Sequence, residues 1–252
     1  MRVFLSLAAM VPLMLATGSA MGQDEEAEAE SYVYASYFIC DVTRQDRADE
    51  LIKTNSAPVY DAAVKDGTIT GWGWLAHHTG GKWRRVQYHS ASSMEALFAA
   101  QADIQAAMEK AGVDNDEFGS ICGMHDDYVW KGVAGSGGNL LATSRGKVGL
   151  SDYHICKMSK EGDAVELVKN VFAPVYNDHL GEGKLSSWGW SEHIIGGKYR
   201  RLATMTAEDV PTLLKMRASI FAALQDNDDA DKFTEICGSH SDYIWEIQVE
   251  NP

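Results

Sequence analysis

The chain has 252 residues, of which 45% are hydrophobic and 23% are charged, so it can bury a core and is not disordered as a whole. A chain of this length holds one large domain or two of about 100 to 150 residues each. The formal net charge of −14 opposes contact with phosphate backbones and anionic membrane faces, so we expect no nucleic acid partner.

The first 22 residues have the pattern of a secretory signal peptide. Arg2 supplies a positive charge, residues 3–15 are apolar, and the small residues Gly18, Ser19 and Ala20 follow. The apolar run is shorter than the roughly 20 residues needed to span a bilayer, so we expect cleavage and no membrane insertion. Residues 23–31 form an acidic tether, and the mature chain is expected in the periplasm or the medium.

The remainder of the chain is one unit written twice. Residues 37–85 align with residues 153–201 without a gap, and 21 of the 49 pairs are identical, where chance gives about three. We predict a first repeat over residues 32–131 and a second over residues 148–250, joined by a Gly/Ser-rich linker over residues 132–147. The identical motifs include Trp72-Gly73-Trp74 with Trp188-Gly189-Trp190, and Gly80-Gly81-Lys82 with Gly196-Gly197-Lys198.

Each repeat predicts the order strand, helix, strand, strand, helix, strand. In the first repeat the predicted strands cover residues 32–42, 69–77, 83–89 and 121–130, and the predicted helices cover residues 48–65 and 94–111. Pro58 and Pro174 fall inside the first helical pattern of their repeats. A proline ring removes a backbone hydrogen bond there, so we expect a kink or a restart of each helix.

This βαββαβ order is that of the ferredoxin-like unit, an α+β fold whose sheet has helices on one face only. A second copy is the simplest cover for the open face, so we predict two tandem repeats packed sheet to sheet as a pseudo-dimeric barrel. With its duplication and its two motifs, the chain resembles the dimeric α+β barrel superfamily in a fused tandem form. Members of that superfamily include cofactor-free monooxygenases, lactone isomerases, haem enzymes and proteins of no known activity, so the resemblance implies a fold and chooses neither a function nor a cofactor.

The resemblance also bears on the cysteines and on oligomeric state. In the ferredoxin-like order the first and last strands are antiparallel neighbours, which brings the end of one to the start of the other. We therefore expect disulfides between Cys40 and Cys122 and between Cys156 and Cys237, in keeping with export. Thiolate metal binding is the alternative, but no Cys-x-x-Cys spacing occurs. Because the pseudo-dimer is fused, no further oligomer is required.

Two His-x-Asp pairs occupy the same position in both repeats. The period of two places His125 with Asp127, and His240 with Asp242, on one face of the last strand of each repeat. Such a pair can form an oriented base and is the candidate catalytic set. It could also supply two ligands of a metal, but the sequence names no third ligand, so we predict no metal site. The alternative is a polar cluster that satisfies itself.

Further candidates for ligand contact also occur in both repeats. We expect Tyr37 and Tyr153 to share the face of the His-x-Asp pairs, and one arginine of each Arg-Arg pair to point inward, where it could bind a carboxylate or an enolate. The aromatic rings are expected to build the core or the contact between repeats, with some left to line a pocket. The ligand-binding candidates are Tyr37, Tyr153, Trp72, Trp74, Trp188, Trp190, Arg85, Arg201, His77 and His193.

Three functions remain open from the sequence. A module that binds a small apolar or aromatic ligand between the sheets needs only a cavity and aromatic side chains, and it is the first hypothesis. A barrel-type enzyme, a monooxygenase or a proton-transferring isomerase, would use the paired His and Asp residues and is the second. A structural or partner-binding envelope protein with a filled barrel is the third. A cavity with His125 and His240 on its wall would favour the first two.

Overall fold

The computed structural model describes residues 30–136, 145–181 and 183–251. The predicted signal peptide and most of the acidic tether lie outside these residues. None of the described helices is long and apolar enough to cross a membrane.

The first half contains β1 (Tyr32–Ile39), α1 (Gln45–Leu51), α2 (Ala57–Asp66), β2 (Gly71–Thr79), β3 (Arg85–Ala91), α3 (Met94–Lys110), α4 (Asp116–Ile121) and β4 (Met124–Gly135).

The second half repeats this order. It contains β5 (Val148–Ile155), α5 (Glu161–Leu167), α6 (Ala173–Asp178), β6 (Ser187–Ile195), β7 (Arg201–Ala207), α7 (Val210–Leu224), α8 (Asp228–Ile236) and β8 (Ser239–Asn251). The long last strands differ from the sequence prediction, because β4 continues through Gly132 to Gly135, inside the expected linker. Residues 137–144 of that linker lie outside the described residues.

A restart of the first helix occurs in both halves, as the prolines predict. A π-helical segment, Ile52–Ser56, joins α1 to α2, and its counterpart Val168–Phe172 joins α5 to α6. Pro58 and Pro174 then stand at the beginning of α2 and α6, where a missing N–H leaves no helical hydrogen bond unmade. The wider π turn absorbs the change of hydrogen-bond pattern that each proline imposes.

The eight strands form one closed antiparallel barrel in the order β1-β3-β2-β8-β5-β7-β6-β4. The two seams between the halves are the pairings of β2 with β8 and of β4 with β6, both of which contain register shifts. Closure leaves no sheet edge unpaired among these strands. The helices pack on the outer face of the barrel, so each strand has one side facing a central lumen and one side facing its own helices.

The disulfide prediction is confirmed, with Cys40 bonded to Cys122 and Cys156 bonded to Cys237. All four cysteines are buried. Each bridge ties the end of β1 or β5 to the end of α4 or α8, immediately before the last strand of that half. Two buried disulfides are typical of a protein that works outside the cytoplasm.

Aromatic rings from both halves fill one end of the lumen. Trp83 stacks on Tyr37 with ring centroids 4.4 Å apart and on Tyr243 at 5.1 Å, so residues of the two halves share one cluster. The cluster comprises Tyr37, Trp83, Tyr128, Trp130, Tyr153, Tyr199, Tyr243 and Trp245. Burial of so many rings makes this the main contact between the halves.

The glycines of the Gly-Gly-Lys motif lie at the same end of the barrel, against aromatic rings of the other half. Gly80 has a φ of 136°, and a Cβ there would lie 2.7 Å from the Tyr243 ring of the other half. Gly196 has a φ of 137° and meets Tyr128 in the same way. Only glycine combines this backbone conformation with so close a ring, which explains why the motif occurs in both repeats.

Candidate functional site

The His-x-Asp pairs lie on the outer face of the barrel, at the beginning of β4 and β8. His125 Nδ1 lies 2.9 Å from Asp127 Oδ1, and His240 Nδ1 is hydrogen-bonded to Asp242 Oδ1 in the same way. Each imidazole is partly exposed, with 45% of its side chain accessible. Each pair therefore shares one face as predicted, but that face is turned toward the helices and away from the lumen.

The expectation that Tyr37 and Tyr153 share this face is wrong. β1 pairs with β4 so that Phe38, not Tyr37, stands opposite His125, and β5 pairs with β8 so that His154 stands opposite His240. A shift of one residue moves every side chain of a strand to the other face. Tyr37 and Tyr153 consequently point into the lumen, where their rings meet with centroids 5.4 Å apart.

The tryptophans of the Trp-Gly-Trp motif pack against the helices of their own half and not between the halves. Trp72 Nε1 donates to Asp61 at 2.9 Å and Trp188 Nε1 donates to Asn177 at 2.8 Å. Trp74 and Trp190 lie two residues further along β2 and β6, on the same strand faces. Because β2 and β6 alternate, the glycine between each pair of tryptophans faces the lumen.

Of each Arg-Arg pair, the second arginine is the buried one and faces the helices. Arg85 binds Asp49 through two hydrogen bonds of 2.6 and 2.7 Å, and Arg201 lies 3.4 Å from Glu161. Both guanidinium groups are thus held by carboxylates of their own chain, so neither is free to bind an anionic ligand in this arrangement.

His77 and His193 stand at the ends of β2 and β6, each beside the aromatic pair of the opposite half. His77 contacts Tyr243 and Trp245, and His193 contacts Tyr128 and Trp130, with ring centroids 6.0 to 6.3 Å apart. Burial lowers the pKa of both imidazoles, and the nearby Arg84 and Arg200 lower it further. Both histidines are packing residues of the lumen's aromatic end.

A partly open space near these candidates lies in the second half, between the outer face of its sheet and its helices. It has a volume of about 730 Å³ and is referred to below as the outer pocket. Aromatic and aliphatic side chains form most of its wall, including Tyr176, Trp188, Trp190, Phe221 and Phe233. Its polar wall includes Asp152, His154, Arg217, Gln225, Asp231, Thr234 and His240.

The corresponding layer of the first half is closed by its own side chains. Phe38 stands where the second half has His154, and it packs against Trp74, Phe118 and His125 with centroids 5.4 to 5.8 Å apart. Asp49 accepts a hydrogen bond of 2.7 Å from Trp74 Nε1 and also binds Arg85. The Asp49 carboxylate is therefore paired within the first half.

Four substitutions between the repeats change the polar groups of this layer in the second half. In the order first half to second half, they are Ser36 to Asp152, Phe38 to His154, Asp49 to Val165 and Gln101 to Arg217. With valine in place of Asp49, Trp190 Nε1 loses the carboxylate that its counterpart Trp74 has. In the second half the carboxylate of this region belongs to Glu161. It binds Arg200 and Arg201, and Trp190 Nε1 is left without a carboxylate partner.

Four buried polar atoms on the pocket wall have no partner among the described residues. They are Asp152 Oδ1, His154 Nδ1, Trp190 Nε1 and Arg217 Nε. Buried polar atoms in folded proteins are nearly always hydrogen-bonded, and leaving one unpaired costs about 1 to 3 kcal/mol. Four such atoms around one cavity are the arrangement expected of a site whose ligand supplies the missing partners.

The pKa of Asp152, on the pocket wall, and that of Asp242, which binds His240 and Arg217 beside it, are shifted in opposite directions. Burial, reinforced by the charge of Asp242, raises the pKa of Asp152 to about 7 even though Arg217 opposes the shift. For Asp242, burial also acts upward, but the hydrogen bond from His240 and the charge of Arg217 outweigh it and lower the pKa. Two carboxylates driven apart in this way can share one proton, with Asp152 as the group that exchanges it near neutral pH.

His154 is a neutral imidazole at physiological pH. Burial lowers its pKa to about 4, and the neighbouring His240 lowers it further. The His154 ring lies 5.3 Å from Trp190 and 5.5 Å from His240, centroid to centroid. A neutral imidazole with a free Nδ1 can donate or accept a proton, or bind a metal ion.

Asp152, His240 and Asp242 also offer three ligand atoms within 4.8 Å of one another. Arg217 Nη2 already lies 2.8 Å from Asp242 Oδ2 and 3.4 Å from Asp152 Oδ2. The guanidinium therefore balances the negative charge that would attract a divalent cation, and the cluster is better suited to proton exchange than to cation binding.

Sequence reasoning missed Asp152, His154 and Arg217. It searched for residues present in both repeats, whereas the pocket depends on positions where the repeats differ. The signal was in the alignment all the same, since Ser36 to Asp152 and Phe38 to His154 place two ionisable groups on one buried strand face. His125 and Asp127 do not line the outer pocket, and the lumen has neither His125 nor His240 on its wall.

The chain is similar in fold to α+β barrel proteins of the monooxygenase-like and chlorite dismutase-like groups. A candidate monooxygenase from Fusobacterium nucleatum superposes with a TM-score of 0.58 at 10% identity, covering 88% of this chain and 94% of that one. An anthrone oxidase-like protein gives 0.56 at 12% identity, covering 89% and 93%. Mutant chlorite dismutase from Candidatus Nitrospira defluvii gives 0.50 at 9% identity, covering 88% and 93%. At these identities the likeness shows the fold alone. No protein-family model and no curated protein matches the chain.

Proposed function

We propose that this protein is an α+β barrel enzyme that binds a flat, mostly apolar compound in the outer pocket and removes a proton from it. The observation that carries the proposal is the difference between the halves. The layer is closed around Asp49 in the first half, and it is open in the second half, where four unpartnered polar atoms line the pocket. The monooxygenase and anthrone oxidase names of fold neighbours support the enzyme over a passive binding module.

In this proposal Asp152 is the base. Its pKa of about 7 lets it accept a proton from a phenol or from an acidic C–H beside a carbonyl and return it near neutral pH. Trp190 Nε1, His154 and Arg217 are the donors nearest to hand for the oxyanion that deprotonation leaves. His240 is partly exposed and bonded to Asp242, so that pair passes the proton between Asp152 and solvent.

The export of the chain and its fused tandem form belong to the same proposal. The signal-like first 22 residues and the two buried disulfides support secretion to the periplasm or the medium. The internal repeat and the two seams of the barrel support descent from a dimer whose subunits were joined. Fusion frees the halves to diverge, so that one keeps the closed layer and the other carries the site.

The test uses the full mature chain with anthrone and a series of hydroxylated aromatic ketones. We expect binding, measured by quenching of tryptophan fluorescence, and turnover, measured by absorbance and by oxygen uptake. Oxygen uptake distinguishes an oxygenase from an isomerase. Asp152→Asn should lower turnover by about 100-fold or more while binding persists, because it removes the base and keeps the shape.

Matched variants of the two halves provide the control. His240→Ala should lower turnover and His125→Ala, its counterpart in the first half, should not. His154→Phe introduces the first-half residue and should abolish binding by filling the pocket. Equal effects of His125→Ala and His240→Ala, or unchanged turnover in Asp152→Asn, would contradict the proposal.

Haem is the second candidate ligand, because His154 is a buried neutral imidazole with an unpartnered Nδ1, and iron binds a neutral imidazole nitrogen. When bound, a haem would supply redox chemistry, and His154 would hold its iron. Titration with hemin should then produce a saturable Soret shift that His154→Phe abolishes. A shift that survives this variant would exclude His154 as the ligand.

A further inference from the structure

A second space lies inside the barrel, on the opposite side of the sheet from the outer pocket. It has a volume of about 240 Å³ and occupies the end of the lumen away from Trp83. Its floor is formed by Tyr37, Tyr153, Trp130 and Trp245 of the aromatic cluster. An engineered cavity of about 150 Å³ takes up benzene, so this one has room for a single ring with one or two substituents.

This lumen cavity exists because the second half has lost bulk at its lumen-facing positions. The strand registers place the residues of the two halves in equivalent pairs. In the order first half to second half, the pairs are Val33 to Gly149, Leu75 to Ser191, Tyr88 to Thr204 and Ala35 to Ser151. Three of these pairs exchange a larger side chain for a smaller one, and three place a hydroxyl in the second half, so the cavity is asymmetric and partly polar.

The floor contains one buried donor without a partner. Trp130 Nε1 donates to Tyr37 Oη at 3.2 Å, whereas Trp245 Nε1, its counterpart in the second half, has no partner among the described residues. Trp245 is 1% exposed, so solvent outside the barrel does not satisfy it. A hydrogen-bond acceptor inside the cavity is the missing partner.

An ion pair at the rim sets the charge of the cavity. Arg145 Nη1 lies 3.0 Å from Glu250 Oε1, and the Tyr88 hydroxyl bonds to both residues. Glu250 has 9% of its side chain exposed. The two charges cancel within this group, and no further ionised side chain lines the cavity among the described residues. A charged ligand would therefore enter without a counter-ion, at a high desolvation penalty.

We propose that the barrel lumen is a second binding site, for a small uncharged monocyclic compound whose oxygen accepts a hydrogen bond from Trp245. The aromatic floor contacts the ring, and Ser151, Ser191 and Thr204 line the space around its substituents. The site is distinct from the outer pocket, because Ser151 and Thr204 face the lumen whereas Asp152 and Ala203, their chain neighbours, face the outer pocket. Trp188 and Gly189 border both spaces.

Acetophenone is the probe, since it has one ring, one acceptor oxygen and no charge. Its comparison compounds are α-methylstyrene, which has the same shape without the oxygen, and benzoate, which adds a negative charge. In calorimetry on the full mature chain, acetophenone should bind with 1:1 stoichiometry, at least tenfold more tightly than either comparison compound. A soaked crystal should show its oxygen beside Trp245 Nε1.

Variants that restore first-half residues test the location. Thr204→Tyr should lower acetophenone affinity at least tenfold. The introduced ring can pack over Gly189, as the Tyr88 ring packs over Gly73. Ser191→Leu is the second filling variant and should act in the same direction. Trp245→Phe should remove most of the preference for acetophenone over α-methylstyrene. Thermal unfolding of each variant verifies that the barrel is intact.

His154→Phe separates this site from the outer pocket and should leave acetophenone affinity within twofold of the wild type. Loss of binding in that variant would place the probe in the outer pocket and overturn the proposal. Undiminished binding in both Thr204→Tyr and Ser191→Leu, absence of any acetophenone binding, or a lumen holding only water in the soaked crystal would overturn it as well.

Discussion

Asp152 differs from its first-half counterpart Ser36 in carrying a carboxyl group into a buried position, where it is 6% exposed. The Ser36 hydroxyl donates a hydrogen bond to Asp127 at 2.7 Å, so the first half has a neutral, hydrogen-bonded group at the same position. The residues that face Asp152 are Arg217, Asp242, His240, His154 and Tyr176. Only Arg217 favours the ionised form strongly, which is why burial prevails and the pKa rises.

The raised pKa of Asp152 has a consequence for stability. Between about pH 4 and pH 7 the folded state holds a proton that the unfolded state has lost, so the free energy of unfolding falls as pH rises through this range. Asp152→Asn should remove that loss and stabilise the protein above pH 7 by roughly 2 to 4 kcal/mol relative to the wild type. Urea unfolding at pH 4.5 and 8 measures the change. Ser36→Asn is the control and should alter both values equally.

His89 gives the opposite pH dependence in the first half. It is 3% exposed, both ring nitrogens are unpartnered, and burial lowers its pKa to about 4. The unfolded state therefore binds the extra proton between about pH 6.5 and pH 4, and the free energy of unfolding falls as pH decreases. The second half has Met205 at this position.

His89→Met should make the acid side of the stability curve shallower, with a gain of about 3 kcal/mol at pH 4 relative to its effect at pH 8. Thermal unfolding across this pH range gives the comparison. His78, which is exposed on the same half, provides His78→Met as the control for the substitution itself. An unchanged slope in His89→Met would mean that the imidazole is not held neutral.

At the scale of single elements, the disulfides stabilise helices that are too short to be stable on their own. α4 has six residues, too few to be stable without tertiary contacts, and it ends at Ile121 beside Cys122. Together with Cys40, that bridge closes a loop with a sequence separation of 82 residues. Leu51, Ala48 and Ile121 pack around it.

Replacing Cys40 and Cys122 together by Ala should lower the free energy of unfolding by about 4.5 kcal/mol, since the chain-entropy model gives that value for loops of this size. Denaturant unfolding without reductant measures it. Cys156 and Cys237 close a loop of nearly equal separation, 81 residues, and their double replacement should have nearly the same effect. A large difference between the two variants would show that strain or residual structure, and not loop closure, controls stability.

Strand and helix order followed from the sequence because apolar periodicity and prolines report on local structure. The face of each strand did not follow as reliably. The cysteines alone left the β1–β4 register uncertain by one residue, and that residue decided whether Tyr37 or Phe38 accompanies His125. The outer pocket could not be derived from repetition, since repetition marks what both halves need to fold. His154 and Asp152 are informative only when compared with Phe38 and Ser36 in three dimensions.

At the scale of the whole molecule, the barrel is closed by two seams of the same kind. β4 of the first half pairs with β6, the counterpart of β2, and β8, the counterpart of β4, pairs with β2. Each half therefore supplies one strand to each of the two seams. The lumen adds a requirement of shape, because bulky residues of the first half such as Tyr88 and Leu75 face the small residues of the second.

The two halves, expressed as residues 30–136 and 145–251, should therefore associate when mixed, and should do so in preference to either self-pair. Two first halves would bring two Tyr88 rings into a lumen that holds one, which overpacks it by about 1 to 3 kcal/mol or more. Two second halves would leave the lumen underfilled, with a comparable penalty for the cavity. Native mass spectrometry of the mixture should show a 1:1 heterodimer as the main species. Halves that remain folded monomers after mixing would contradict the barrel argument, since each would then tolerate an open sheet face and two unpaired edges in water.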